Sequence, residues 1–390
     1  MLYSDLSGDR LSRLGFGTMR LPQLADGKID EATVERMVAD AMEAGVNLFD
    51  TAWPYHDGES ERVIGRVLSK YPRDSYYLSN KYPGHQISAK YDPAAIFEAQ
   101  LKKCGVEYFD YYLLHNVYEN SLETYLDPKW GILPYFKEQK RLGRIRHLGF
   151  SSHAELPMLE KILSLIGEDM EFCLIQLNYL DWSLQSAKEK YELLAAKGIP
   201  VWVMEPLRGG KLASLSDDNQ ARLNALGGDT SAPAYAFRFL TELPGVQVIL
   251  SGMSSPEQMK DNLLTFEAEK PLSEKERATL LEIAEELGGK SPCTACRYCV
   301  KECPLGLDIP RFLALLSELR YAPITTAVMR FDGLSEEKRP DACLACGKCA
   351  EMCPQKIDIP SEMATLSDLM KKVPSWAEIC RQREAAQSVR

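Results

Sequence analysis

Eight strand-like segments alternate with eight helix-like segments between Leu14 and about Leu264. The strand-like segments are Leu14–Met19, Asn47–Thr51, Ser75–Asn80, Tyr108–His115, Arg146–Ser151, Phe172–Asn178, Pro200–Met204 and Val246–Ser251. The helix-like segments are Asp30–Ala44, Ser60–Lys70, Pro93–Cys104, Lys129–Leu142, Glu155–Leu165, Ser186–Ala196, Ala232–Leu240 and Pro256–Thr265. Eight such pairs over roughly 250 residues are the number expected for a (β/α)8 barrel.

A doubly wound open sheet would show the same alternation, so it is the competing fold. Such a sheet usually carries a G-x-G-x-x-G phosphate loop directly after its first strand. In this chain, Gly15-Phe16-Gly17 is only G-x-G and is followed by Thr18, Met19 and Arg20. The sequence therefore favours the barrel, which we place at residues 1–270.

Composition narrows the functional classes. The 390-residue chain has 45% hydrophobic residues and a net charge of −10, which argues against a general nucleic-acid binder. The N-terminus Met1-Leu2-Tyr3-Ser4-Asp5 lacks the features of a signal peptide, and no apolar run approaches the ~18 residues needed to span a membrane. We therefore expect a cytoplasmic protein with no membrane span, whose clustered cysteines are reduced and bind metal.

Two cysteine runs follow the barrel region, and each has the spacing C-x2-C-x2-C-x3-C-P. The first comprises Cys293, Cys296, Cys299 and Cys303, and the second Cys343, Cys346, Cys349 and Cys353. Zinc sites more commonly use two C-x2-C pairs far apart, whereas this spacing is that of bacterial iron–sulfur proteins. The runs therefore predict two [4Fe–4S] clusters.

The cysteine region resembles two-cluster ferredoxins, in which the fourth cysteine of each run ligates the other cluster. That resemblance implies one ligand set of Cys293, Cys296, Cys299 and Cys353, and another of Cys343, Cys346, Cys349 and Cys303. The long insert between the runs carries helical periodicity at Ile309–Tyr321, so we expect an α-helical ferredoxin-like domain at 291–365. A linker helix at 271–290 would precede it, and a polar tail would occupy 366–390.

Four ionisable residues lie at or just after successive strand ends: Asp50, Tyr55, Lys81 and His115. In a (β/α)8 barrel the carboxyl ends of the strands carry the chemistry. Any one of these side chains alone is better explained by packing or solvation. Four on one rim indicate a catalytic site.

This arrangement resembles the aldo-keto reductase family over about residues 10–265. The similarity rests on ordered motifs: Gly17-Thr18-Met19, Phe49-Asp50-Thr51-Ala52 with Tyr55, Gly58-Glu59-Ser60-Glu61, Lys81, Leu114-His115, Gly149-Phe150-Ser151-Ser152, Gln176-Leu177-Asn178, and Ile249 to Asn262. The resemblance implies that Tyr55 is the general acid, that Lys81 lowers its pKa, that Asp50 holds Lys81, and that His115 orients the substrate carbonyl.

The resemblance also implies a nicotinamide cofactor, NADP(H) or NAD(H). Its expected contacts are Gly17, Thr18, Met19, Ser151, Ser152, Gln176, Gly252, Ser254, Gln258 and Asn262, with Arg208 and Lys211 supplying positive charge to the pyrophosphate. Three residues depart from the family pattern. Ser152 stands where the family commonly has Asn. Met204 lies near the position where many relatives have a Tyr that stacks on the nicotinamide, and Met253 lies near the position where many have a basic residue that binds the 2′-phosphate. These changes weaken the case for NADP and leave a flavin possible.

The leading hypothesis is an NAD(P)-dependent oxidoreductase that reduces a small carbonyl substrate and carries an iron–sulfur electron-transfer module. Hydride transfer moves two electrons whereas each cluster moves one, so participation of the clusters requires a converter such as a flavin, here or on a redox partner protein. The alternative is an electron-transfer or flavin-using protein whose barrel binds a cofactor or partner.

Overall fold

Eight parallel strands close into a barrel in the computed structural model of this chain, which describes residues 1–227, 230–288, 293, 295–321 and 325–388. The barrel order is β10-β3-β4-β5-β6-β7-β8-β9, so each strand pairs with its neighbours in sequence and the last closes on the first. The (β/α)8 prediction is confirmed. The strands are β1 Tyr3–Leu6, β2 Asp9–Ser12, β3 Leu14–Gly17, β4 Leu48–Asp50, β5 Tyr77–Tyr82, β6 Phe109–Leu114, β7 Ile145–Ser152, β8 Cys173–Gln176, β9 Val201–Met204 and β10 Val246–Ser251.

Helices follow the barrel strands and continue through the C-terminal region. They are α1 Glu31–Glu43, α2 Glu59–Leu68, α3 Pro93–Cys104, α4 Leu122–Leu126, α5 Ile132–Arg141, α6 Leu156–Ile166, α7 Asp181–Leu184, α8 Ala187–Ala196, α9 Asp217–Asn224, α10 Ala232–Thr241, α11 Pro256–Thr265, α12 Glu274–Leu287, α13 Tyr298–Glu302, α14 Ile309–Tyr321, α15 Thr325–Asp332, α16 Lys348–Glu351, α17 Ile359–Met370 and α18 Trp376–Ser388.

Local sequence explains several helix ends. The side chains of Asp30, Asp92 and Ser255 accept hydrogen bonds from backbone N–H groups in the first turns of α1, α3 and α11. Such caps satisfy N–H groups that have no partner within the helix. Gly105 ends α3 in the left-handed conformation (φ 67°), which glycine adopts without steric cost. These signals fix where the helices begin and end.

The hairpin of β1 and β2 was not anticipated from the sequence. It lies at the amino-terminal ends of the barrel strands, where Ser4 Oγ donates to the carbonyl of Gln247 and Ser12 N donates to Asn47 Oδ1. Leu6 and Leu11 are buried in the same apolar cluster as barrel residues such as Trp202. The hairpin therefore packs beneath the barrel interior, and the opposite rim carries the strand ends that hold the candidate site.

The chain divides into two compact units: Met1–Leu280 with the residues from Arg383 onward, and Leu281–Gln382. The second unit is helical, as expected, and α14 begins and ends as the periodicity indicated. The expected tail at 366–390 instead contains the end of α17 and all of α18. Met363, Leu366 and Met370 recur at helical spacing and are buried, which explains why α17 forms. The exact domain boundaries stay a prediction.

In the part of the chain that the structure describes, no helix is both long enough and apolar enough to cross a membrane.

Candidate active site

Three strand ends bring the four predicted catalytic residues together. Asp50 ends β4, Lys81 lies in β5, His115 directly follows β6, and Tyr55 begins a short 3-10 turn after β4. Lys81 Nζ lies 2.5 Å from Asp50 Oδ2, 2.8 Å from the carbonyl of Thr51, and 3.4 Å from the Tyr55 hydroxyl. The rings of Tyr55 and His115 meet edge to face, with their centroids 6.2 Å apart.

The ammonium of Lys81 is a buried charge with a buried counter-ion. Its side chain is 1% exposed and that of Asp50 is 3% exposed. Burial alone would lower the pKa of Lys81, but the nearby groups Asp50 and Tyr55 raise it above its ordinary value. The site therefore holds a fixed positive charge directly beside the Tyr55 hydroxyl.

The pKa of Tyr55 moves in the direction opposite to the one expected from Lys81 alone. Burial raises it above the ordinary value of 10.0, and this effect outweighs the lowering by Lys81; Asp50 raises it further. Lys81 thus lowers the pKa of Tyr55 as expected, but in the free protein burial outweighs this effect. Tyr55 stands as a protonated phenol, which is the form that a general acid requires.

An unusual turn positions Tyr55. His56 (φ 50°), Asp57 (φ 55°) and Gly58 (φ 90°) are consecutive residues with left-handed backbone, a conformation that costs energy for non-glycine residues. The ring of His56 anchors the turn, because its Nε2 accepts a hydrogen bond from Leu21 N at 3.2 Å. His56 was not anticipated from the sequence, although its place directly after Tyr55 was an available signal.

A second histidine, also missed from the sequence, packs against His115. The rings of His85 and His115 lie 4.3 Å apart between centroids; His85 is buried and His115 is half-buried. Burial holds the pKa of His115 well below its ordinary value, and the neighbouring His85 ring and Lys81 ammonium lower it further, so His115 is neutral. Tyr125 Oη lies 2.7 Å from the His115 carbonyl oxygen and fixes the backbone of that strand end.

Residues expected near the nicotinamide lie on β7 and β8, and each already has protein partners. Ser151 Oγ accepts from Asn116 N at 2.8 Å, and Ser152 Oγ donates to the carbonyl of Val117 at 2.7 Å. Gln176 Nε2 donates to Asp181 Oδ2 at 2.7 Å. These bonds fix the side-chain orientations before any cofactor arrives.

Arg208 and Lys211 occupy different environments. The Arg208 side chain is 1% exposed and pairs with Asp181, which is fully buried. Lys211 is exposed on the same loop. The expectation that both supply charge to a pyrophosphate stays a prediction, and only Lys211 presents its side chain to solvent.

Two glycines at the ends of β3 and β10 pack closely against neighbouring protein atoms. A Cβ built on Gly17 would lie 3.2 Å from the carbonyl oxygen of Ser251, and one built on Gly252 would lie 3.3 Å from three carbons of Arg20. Thr18 is buried and donates to the carbonyl of Asp50, whereas Met19 is exposed. The loop is therefore fitted closely to the rim, as a cofactor groove requires.

The loop after β10 carries the residues expected at the adenosine end. Ser254 N donates to Gln258 Oε1 at 2.8 Å, and both residues are exposed. Asn262 is buried and donates to Ser251 Oγ at 3.0 Å. Ser254 and Gln258 thus face solvent at the rim, while the buried Asn262 is hydrogen-bonded to the end of β10.

In the second unit, the eight cysteines of the two runs surround two cavities. One is lined by Cys303, Cys343, Cys346 and Cys349. The other is lined by Cys293, Cys296, Cys299 and Cys353. These are the crossed sets inferred from the ferredoxin resemblance. Apolar residues complete the lining of the first cavity, whereas Arg297 and Gln355 join apolar residues in the lining of the second.

Family models match both parts of the chain. The Aldo/keto reductase family matches residues 13–285, and a 4Fe-4S dicluster domain matches residues 292–358.

Curated relatives match the barrel region. The NADH-specific methylglyoxal reductase of Escherichia coli is 25% identical over 71% of this chain and 96% of the relative. An aldo-keto reductase of Mycolicibacterium vanbaalenii is 31% identical over 65% of this chain and 84% of the relative.

Solved structures agree with the fold. The holo form of aldo-keto reductase AKR11C1 from Bacillus halodurans superposes with a TM-score of 0.60 at 27% identity, covering 73% of this chain and 97% of that one. A thermostable aldo-keto reductase, Tm1743, superposes with a TM-score of 0.58 at 23% identity, covering 73% of this chain and all of that one.

Proposed function

Because the chain belongs to the aldo/keto reductase family and carries a C-terminal 4Fe-4S dicluster domain, it is an oxidoreductase, and we propose that its barrel reduces a small aldehyde or ketone with NAD(P)H. One observation carries the proposal. The buried Lys81 ammonium lies between the Asp50 carboxylate and the Tyr55 hydroxyl, with the neutral ring of His115 facing them.

In this proposal Tyr55 donates its proton to the substrate oxygen while a hydride adds to the carbonyl carbon. Lys81 stabilises the phenolate that remains, and Asp50 keeps the ammonium oriented. His115 holds the substrate oxygen by donating a hydrogen bond, and its neutrality avoids a second positive charge next to Lys81. The two steps together add one hydride and one proton across the C=O bond.

The nicotinamide half of the cofactor would contact Ser151, Ser152 and Gln176, and the adenosine half would contact Ser254, Gln258 and Asn262. When bound, reduced nicotinamide supplies the hydride. Gly17 and Gly252 lie at the rim beside these residues, where a side chain would crowd the Ser251 carbonyl or Arg20. The fixed orientations of the serines and Gln176 would limit the reorganisation needed on binding.

The choice between NADH and NADPH is a finer part of the proposal. Met253 is 1% exposed and uncharged, so it offers no partner for a 2′-phosphate, which prefers charged hydrogen-bond donors. The Escherichia coli relative is named as NADH-specific. We therefore expect NADH to serve at least as well as NADPH, and a flavin is not needed for the barrel chemistry.

The second unit would bind two [4Fe–4S] clusters through the crossed cysteine sets around its cavities. Such clusters supply one-electron chemistry. We expect them to exchange electrons with a redox partner protein, and we expect the protein in the cytoplasm, where thiols stay reduced.

Anaerobic protein with both clusters should oxidise NADH or NADPH when methylglyoxal or a simple aldehyde is added, with the alcohol as product. The same protein with Tyr55→Phe should bind cofactor normally but lose this turnover. Absence of turnover with either nucleotide across a panel of aldehydes and ketones would refute the reductase proposal and favour an electron-transfer role for the barrel.

A further inference from the structure

Three histidines lie at the carboxyl rim of the barrel, and only His115 has a part in the reaction proposed above. His85 follows β5, His115 follows β6 and His153 follows β7, so consecutive strands supply them. The rings of His85 and His115 lie 4.3 Å apart between centroids. His153 N donates to Asn116 Oδ1 at 3.0 Å, which joins it to the residue directly after His115. The three residues therefore cluster beside the proposed site of carbonyl reduction.

A cation from near the end of the chain acts on this histidine cluster. Arg383 follows the whole cysteine region in sequence, yet it belongs to the same compact unit as the barrel, and its side chain is half-buried. Burial lowers the pKa of His85 to about 3, and the positive charge of Arg383 is the next largest cause. The pKa of His115 is lowered by burial, then by His85, Lys81 and His153, and also by Arg383. The guanidinium therefore lies close enough to act on both rings.

The other cation of the site is committed to the reacting groups. Lys81 Nζ lies 2.5 Å from Asp50 Oδ2 and 3.4 Å from the Tyr55 hydroxyl. The stacked rings of His85 and His115 are uncharged near neutral pH, because burial opposes their protonation. Arg383 is therefore the cation placed to bind a charged group of the substrate away from the reacting carbonyl.

We propose that Arg383 binds a carboxylate of the substrate beside His85 and His115, so that the barrel prefers carbonyl compounds that carry a carboxylate. The proposal rests on the function proposed above and names the substrate class of that site. The substrate oxygen would lie between Tyr55 and His115, and the carboxylate would extend past His115 towards Arg383.

The chemistry of a guanidinium suits this task. Its planar set of N–H donors can pair with both oxygens of a carboxylate, and it stays protonated at any pH at which proteins work. Partial burial strengthens such a pair, because the surrounding protein screens charge less than water does. The chain carries a net charge of −10, so its overall field repels anions. A preference for anionic substrates therefore requires a local cation such as Arg383.

Steady-state kinetics with NADH on anaerobic protein with both clusters test this, using acids and their neutral methyl esters as matched substrates. Pyruvate and methyl pyruvate place the charge next to the carbonyl, and succinic semialdehyde and its methyl ester place it farther away. In at least one pair the acid should have the higher kcat/KM. Arg383→Gln should lower kcat/KM for that acid roughly tenfold or more, mainly through KM, and change the value for its ester less than about twofold.

Arg383→Lys should restore part of the loss. Arg381→Gln is the matched control, because Arg381 is an exposed arginine two residues earlier in α18, and the ratio of acid to ester should not change in it.

A preference for the ester in both pairs, or an unchanged ratio in Arg383→Gln, would overturn the proposal. Failure of the unsubstituted protein to reduce any acid or ester would instead refute the proposed function. If Arg383→Gln does not fold, inhibition of the unsubstituted protein decides the matter. Propanoate should then compete with the preferred acid and propanamide should not, and equal inhibition by the two, or none by either, would overturn the proposal.

Discussion

The Tyr55 hydroxyl oxygen lies 3.4 Å from Lys81 Nζ, while the same nitrogen is 2.5 Å from Asp50 Oδ2. In the free protein Lys81 is therefore bound more closely to its carboxylate than to the phenol. At this distance the ammonium lowers the pKa of Tyr55 less than burial raises it, so the phenol stays protonated. The positive charge is in place before the reaction and becomes most stabilising when the phenolate forms.

Removal of the phenolic oxygen should abolish turnover without disturbing the fold. Tyr55→Phe keeps the ring that packs against His115 but removes the proton donor. General acid catalysis contributes about 10²- to 10⁴-fold, so kcat should fall by at least about a hundredfold. Steady-state kinetics with NADH and an aldehyde check this. A Tyr55→Phe protein with near-normal kcat would mean that another group donates the proton.

Breaking the buried Lys81–Asp50 pair should destabilise the barrel. Lys81→Met leaves the Asp50 carboxylate buried without its counter-ion, which typically costs about 3–5 kcal/mol. The double variant Lys81→Met with Asp50→Asn should recover much of that loss, because no uncompensated charge remains. Urea unfolding of the parent, of Lys81→Met, of Asp50→Asn and of the double variant measures the coupling. Strictly additive losses would show that the two charges do not interact in this way.

Stability should fall in mild acid because of a buried histidine. Burial lowers the pKa of His85 to about 3, whereas an unfolded histidine titrates near 6.5. The unfolded chain thus binds a proton between those values that the folded protein does not, so stability falls as pH drops from about 6.5 towards 3.

At pH 5 the contribution of His85 would be at most about 2 kcal/mol. Unfolding free energies of the unsubstituted protein and of His85→Gln at pH 7 and pH 5 would isolate this effect. The variant should lose less stability than the parent between the two pH values. Equal losses in both proteins would assign the acid sensitivity to other groups.

The crossed cysteine sets can be tested by pairwise substitution. Cys303→Ser should remove roughly half of the iron, because each of two clusters depends on four cysteines. Adding Cys343→Ser should remove little more, since both residues line one cavity. Adding Cys293→Ser instead should remove nearly all of it, since that residue lines the other.

Iron analysis of anaerobically reconstituted protein measures these losses, and Cys173→Ala is a control outside both runs. If Cys303 and Cys293 instead behaved as ligands of the same cluster, so that their double variant kept half of the iron, the crossing would be incorrect.

Much of the fold was predictable because it depends on local sequence periodicity. The alternation of apolar strands and amphipathic helices identified the barrel, and the ranges of α3, α11 and α14 were predicted to the residue. The β1–β2 hairpin was not predictable, because its strands have only four residues each and their burial depends on contacts with distant Asn47 and Gln247. The helix α18 was missed because its sequence is polar.

The candidate site, like the fold, was predictable from the sequence only in part. Asp50, Tyr55, Lys81 and His115 followed from their strand-end positions, which the structure brings together. The direction of the Tyr55 pKa shift could not be predicted, since it depends on the depth of burial rather than on which residues are neighbours.

Transfer of deuterium from the nicotinamide ring tests the central claim most directly. Anaerobic protein with both clusters would be given an aldehyde and NADH labelled with deuterium at either face of C4, and the alcohol would be analysed by mass spectrometry. We predict one deuterium on the carbinol carbon from one labelled face, none from the other, and no transfer with Tyr55→Phe. Alcohol that acquires only solvent hydrogen from both labelled forms would contradict direct hydride transfer in the barrel.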